Sequence, residues 1–238
     1  VLLLLPTAVF PWMPAPGPDR RLARESFPKF MGEIGSLLRQ RAVLIALMLF
    51  LSPAAAFSLT NLLSGLGADF GASTHFVGLV GGAGVVVGGI SGCLCYRFIE
   101  PLLSKRLLYL AIGMAGAVFT LSLLPLARTP TLFALALIGE NAFQALAFTA
   151  STAIAFETIG RDNPLAATTF SLMISASNIP LTYMLFADSW GYARYGVAGS
   201  LVVDAGLSLL AAGALATFLV LVNRRKPPRL RAARPATG

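Results

Sequence analysis

Three polar residues interrupt an apolar stretch in the middle of this chain. Glu140, Asn141 and Gln144 lie inside TLFALALIGENAFQALAFTASTAIAFETIG, Thr131 to Gly160. On a helix, Glu140, Gln144, Ala147 and Ser151 fall on one face, while Leu, Phe and Ala cover the rest. A carboxyl in hydrocarbon costs about 2.5 kcal/mol or more, so such a face meets other helices or a water-filled cavity. There it can take up a proton, bind a solute, or hold a neighbouring helix as a structural hydrogen-bond partner. Asn61, Asn178 and Tyr183 add neutral hydrogen-bonding groups in two other apolar stretches. Asn178 clusters with Ser175, Ser177 and Pro180. This suits a kinked cavity lining and equally an interhelical hydrogen-bond contact worth about 1 kcal/mol.

The composition says what positions these groups. Hydrophobic residues make up 56% of the 238 and charged residues 12%, with mean hydropathy +0.78. A soluble domain carries roughly 25% charge. The fold class is therefore all-α integral membrane protein, with the lipid bilayer as first partner. The net charge of +8 would suit nucleic acid only on a basic face of a soluble fold. Here the basic residues lie in short segments between apolar runs, which excludes that partner.

Apolar periodicity predicts six spans at roughly 43 to 66, 76 to 96, 107 to 126, 132 to 157, 165 to 187 and 197 to 222. Of the 18 Lys and Arg residues, all but Arg128 and Arg194 fall before the first span, between the second and third, between the fourth and fifth, or in the tail. The positive-inside rule then places both ends of the six-helix unit in the cytoplasm, in a multi-pass plasma membrane protein, the inner membrane of a bacterium. Residues 1–13 read as the end of a truncated transmembrane helix, and 14–42 as a basic cytoplasmic linker. Phe27, Phe30, Met31, Ile34, Leu37 and Leu38 give that linker the spacing of a short amphipathic helix. Residues 43–222 form the transmembrane domain, and 223–238 a basic cytoplasmic tail.

Within the spans, Pro53 predicts a kink in the first. Gly84, Gly88 and Gly92 recur every four residues in the second, with Gly78 and Gly82 on an adjoining line, and predict close helix packing. Asp204, in the sixth span, lies only a couple of turns from its outer end and ranks below Glu140.

No catalytic constellation accompanies them, so an enzyme is not expected. His75 lacks partners at ligand spacing, and Cys93 and Cys95 point apart on one helix, so neither a metal, a cofactor nor a disulfide is indicated. No phosphate loop or nucleophile motif occurs. Polar groups on separate helices at mid-membrane suit solute passage better than catalysis.

The six-span pattern, the amphipathic linker before it and GGISGCLCYRFIEPLLSKR between the second and third spans resemble the C-terminal half of a major facilitator superfamily transporter. That family carries a G-x-x-x-D-R-x-G-R-R loop at this place, where Gly92, Arg97, Lys105 and Arg106 stand comparably. Its acidic position is taken here by Cys95 or Tyr96, and Glu100 offers a carboxylate instead. The stretch from Glu140 to Met184 is similar to the branch of muropeptide permeases, acetyl-CoA transporters and siderophore permeases, through Ser175, Ile179 and Pro180.

The resemblance implies half of a 12-helix fold whose partner is a missing N-terminal six-helix half. It also implies alternating access for a polar small solute, muropeptide-, siderophore- or CoA-like, with proton coupling as a symporter. Glu140 and Gln144 would face the cavity, and Asn141, Asn61, Asn178 and Tyr183 would bind solute. Arg97, Glu100, Lys105 and Arg106 would gate. Gly84, Gly88 and Gly92 would pack between the halves, and Asp204 would sit on a peripheral helix. A sensor or assembly subunit that binds a ligand or partner without moving solute is the alternative.

Overall fold

The computed structural model describes residues 27–160 and 165–224. The expected helix stub over 1–13, the linker up to residue 26, Arg161 and the tail from residue 225 lie outside them. Every regular element among the described residues is helical.

The first, α1 (Phe27–Leu38), is the linker helix expected from the apolar spacing. It belongs to one unit of the chain, and the described residues from Gln40 onward belong to a second, which holds every element below.

The expected span over 43–66 is not one helix. It consists of α2 (Arg41–Phe50), a 3₁₀ turn at Pro53–Ala55 and α3 (Leu59–Leu63). Pro53 has no N–H and its ring would clash with the carbonyl four residues back, so an α-helix cannot run through it undisturbed. The Ser52 hydroxyl donates to that carbonyl, Leu49 O, at 2.7 Å. Phe57 then takes a left-handed φ of 51°, which turns the chain sharply before α3. What looked like a kink is a break.

A second 3₁₀ turn, Gly67–Phe70, leads to α4 (Thr74–Leu79), capped by the Ser73 hydroxyl on Phe76 N at 3.3 Å. A π-helical turn, Val80–Gly84, carries α4 into α5 (Val85–Ile99). Next comes α6 (Lys105–Ser122). It is followed by α7 (Pro130–Ile159), which has Thr129 as N-cap and Gly160 at φ 74° beyond its end. Last is α8 (Ala166–Arg224). Gly196, at φ 62° and ψ −154°, divides α8 into two arms, residues 166–195 and 197–224. The loop expected between the fifth and sixth spans is therefore reduced to this one reversal, where only glycine is unstrained.

Among the described residues, four helical stretches are long and apolar enough to cross a membrane: Thr74–Leu102, Lys105–Ser122, Pro130–Ile159 and Ala166–Val222. Their outward faces are apolar, with Phe98, Phe186, Leu210 and Leu94 among the exposed side chains. This fits a multi-pass membrane protein.

Glycines set how closely the helices approach. A Cβ on Gly92 would lie 2.1 Å from Ala142 O, and one on Gly88 2.6 Å from Ile138 O, so α5 rests on the backbone of α7. The stripe expected to serve an interface with a separate half is thus filled by this chain's own α7. Gly82, on the adjoining line, faces open space. On α6, a Cβ at Gly113 would fall 1.8 Å from Ala54 O, which seats the broken segment directly against that helix. One end of the bundle is closed by a cluster of Leu59, Leu63, Phe70, Leu132, Phe133 and Leu201.

Gly113→Ala and Gly92→Ala are expected to lower stability by about 1–3 kcal/mol, because a backbone oxygen must move. Gly82→Ala should leave it unchanged or raise it. Thermal unfolding of the purified chain in detergent distinguishes the two sets.

Candidate functional site

The break between α2 and α3 releases carbonyls that a continuous helix would satisfy internally, and hydrocarbon offers them no water. Side chains from other helices take them. The Tyr183 hydroxyl donates to Leu51 O at 2.8 Å, and the Ser208 hydroxyl to Pro53 O at 3.1 Å. Phe57 O accepts from the Thr60 hydroxyl at 2.9 Å and from Gln144 Nε2 at 3.4 Å. Gln144 Nε2 also reaches Thr60 Oγ1 at 3.2 Å. Two residues expected to bind solute, Tyr183 and Gln144, therefore hold the broken backbone.

Ser58, the residue just after the left-handed Phe57, carries the chemistry of the break. Its fully buried hydroxyl lies against two carboxyls, Asp188 Oδ2 and Asp204 Oδ1, the latter at 3.1 Å. The two aspartates sit on opposite arms of α8, equally far along the chain from Gly196. The reversal there brings them face to face, and the arms approach closely because Gly191 and Gly199 abut: a Cβ on Gly199 would lie 2.2 Å from Gly191 O. The two carboxyls also interact with each other electrostatically.

Asp188 is 0% and Asp204 3% exposed. Asp204 keeps its expected place a couple of turns inside the second arm of α8, and its side chain is buried within the bundle. Sequence reasoning missed Asp188 and Ser58 altogether, since the expected fifth span stopped at residue 187 and Ser58 is an ordinary polar residue near a proline. Their only sequence signal is the symmetric spacing of two aspartates about Gly196.

Glu140 is also 0% exposed. Its Oε1 accepts from the Thr120 hydroxyl of α6, which is bonded as well to Gly116 O at 3.0 Å. Its carboxyl interacts electrostatically with Asp204 and Asp188. Glu140 Oε2 and Asp188 Oδ1 are buried without a hydrogen-bond partner. No basic side chain among the described residues pairs with any of the three acids; the Lys105 ion pair lies elsewhere, on Glu157. Three carboxyls are thus sequestered together without a cation.

A cavity of about 420 Å³ borders the break. Ala55 and Ala56 form part of its wall, and Asn141, Gln144, Ser151, Ser177 and Asn178 supply polar groups. The amides of Asn141 and Asn178 donate to carbonyls of their own helices, Leu137 O at 2.8 Å and Ile174 O at 3.1 Å. Of the six expected binding residues, Asn141, Gln144 and Asn178 come together here. Glu140 and Tyr183 are not among the lining residues, and Asn61 is exposed on α3.

In the expected gating loop, Lys105 Nζ pairs at 3.5 Å with Glu157 Oε2 at the end of α7. The carboxylate on Lys105 is therefore Glu157 rather than Glu100. Glu100 opens a 3₁₀ turn after α5, Arg97 lies in the last turn of α5, and Arg106 borders a separate cavity. No cluster of three His, Cys, Asp or Glu side chains suited to a metal ion occurs among the described residues.

No family model matches the chain, and neither a curated protein nor a solved structure matches it.

Ser58→Ala removes the hydroxyl shared by two buried carboxyls and is expected to cost about 1–3 kcal/mol. Ser58→Thr should keep most of it. Comparing detergent unfolding midpoints of the two variants checks this.

Proposed function

We propose that this chain is the C-terminal half of a secondary transporter of the major facilitator type, which moves a polar small solute by alternating access coupled to protons. The observation that carries the reading is the burial of Asp188, Asp204 and Glu140 without a cation paired to them among the described residues, the two aspartates meeting at Ser58 in a helix break that also borders a cavity. Ionisable groups inside a membrane protein mark ion and substrate pathways, and broken helices near mid-membrane build transporter sites.

On this reading the chain crosses the bilayer six times: α2 with α3, α4 with α5, α6, α7, and each arm of α8. Both ends of the unit face the cytoplasm, and an N-terminal six-helix half completes the pathway. The Asp188–Asp204 pair carries the coupling proton, with the Ser58 hydroxyl as its relay partner. Glu140 responds through its electrostatic interaction with the pair. Solute binds in the cavity through Asn141, Asn178 and Gln144. Because Gln144 and Ala55–Ala56 belong both to the cavity and to the break, solute contact and proton state act on one segment of backbone.

The muropeptide, siderophore and CoA-like classes are the solutes to test first, in full-length protein reconstituted in vesicles carrying an interior pH dye. Asp188→Asn and Asp204→Asn are expected to lower solute-dependent proton movement at least roughly tenfold while leaving solute exchange at zero gradient, since the amides keep hydrogen bonds but cannot release a proton. Glu140→Gln should weaken coupling less. Gradient-driven uptake equal to the parent in both aspartate variants would overturn the coupling assignment.

A further inference from the structure

A second cavity, about 320 Å³, lies away from the carboxyl cluster, where α2 and α6 begin and α8 ends. It is lined by Arg41, Ser104 and Arg106, with Ala42, Ile45, Leu107, Leu219 and Val222 as apolar walls. Arg41 is the first residue of α2 and Arg106 lies in the first turn of α6. Neither first turn holds an acidic residue, and neither N-cap, Gln40 or Ser104, caps its helix with its side chain.

The electrostatics of this arrangement are unfavourable as it stands. Each helix N-terminus carries about half a positive charge and uncapped N–H groups, which favour an acidic neighbour and disfavour a basic one. Here two such ends and two arginines, Arg41 and Arg106, border one hollow. The Glu157 carboxylate is paired with Lys105, next to Arg106, and no acidic residue is among those lining the cavity. An anion placed in the hollow would remove the repulsion and accept hydrogen bonds from both forks.

We infer that this cavity binds a phosphate group, and that its occupant is the headgroup of an anionic phospholipid. Arginine forks match phosphate oxygens in geometry as well as charge. The apolar walls favour a lipid over free phosphate, since Ile45, Leu107, Leu219 and Val222 offer a surface to a glycerol backbone and the start of an acyl chain. Basic hollows between transmembrane helices at the membrane face suit such headgroups. The transport reading uses none of these residues for solute or proton, although Arg106 also belongs to the expected gating loop.

The test compares full-chain protein with Arg41→Gln/Arg106→Gln, Arg41→Lys/Arg106→Lys and Ala42→Trp, the last filling the hollow without altering charge. Retention of phosphatidylglycerol against phosphatidylcholine is read by mass spectrometry of the detergent-purified protein, and inorganic phosphate binding by thermal shift. The parent is expected to retain phosphatidylglycerol selectively. The Gln pair and the Trp variant should lose at least roughly tenfold of that retention, as two cations near a membrane surface each contribute on the order of 1 kcal/mol, and the Lys pair should fall between. Arginine-dependent stabilisation by inorganic phosphate, without selective lipid retention, would keep the anion site and overturn the lipid as its occupant. Equal retention of both lipids by all four proteins, with no phosphate effect, would overturn the site.

Discussion

A broken backbone in a place without water is the constraint on which the rest of this structure depends. Pro53 stops α2, and the chain does not resume a helix until Leu59. Every carbonyl released in between needs a donor from the protein itself. The donors come from far along the chain: Gln144 of α7, and Tyr183 and Ser208 from the two arms of α8. Gly113 and Gly116 of α6 give up their side chains so that Ala54 and the Phe57 ring can press against that helix. The break is thus the point at which α6, α7 and both arms of α8 are tied together.

The same segment joins two environments that a continuous helix would keep apart. Ser58 faces a buried acidic pair, whereas Ala55 and Ala56 face the polar cavity. The break is held by side chains that other helices contribute as hydrogen-bond partners. Gln144 is such a partner, being bonded to the break and lining the cavity. Glu140, one turn earlier on the same helix, is turned instead toward Thr120 and the acidic cluster. The polar face read from α7 therefore serves two sites and not one.

Much of the architecture was legible because apolar length and helical period are local properties. The boundaries of α7 fall within two residues of those expected, since Thr129, Pro130 and Gly160 are unambiguous start and stop signals. The glycine period of α5 foretold close packing, but not its partner: nothing in a repeat of small residues says whether the facing helix is α7 or another chain. Likewise Glu140 stood out as an acid in an apolar run, whereas Asp188 lay just beyond the expected end of a span and Asp204 toward the end of another.

The sequence by itself determined that the chain is helical, apolar enough for a membrane, distorted at Pro53 and furnished with polar groups inside its apolar stretches. These follow from side-chain transfer energies and backbone sterics, which act within a few residues. Only the tertiary structure decided which polar groups meet. The left-handed Phe57 aims Ser58 at α8, and the reversal at Gly196 sets Asp188 against Asp204. Both depend on chain turns whose direction is chosen by what packs around them, and a carboxyl becomes a site only when its neighbours remove water and withhold a counter-charge.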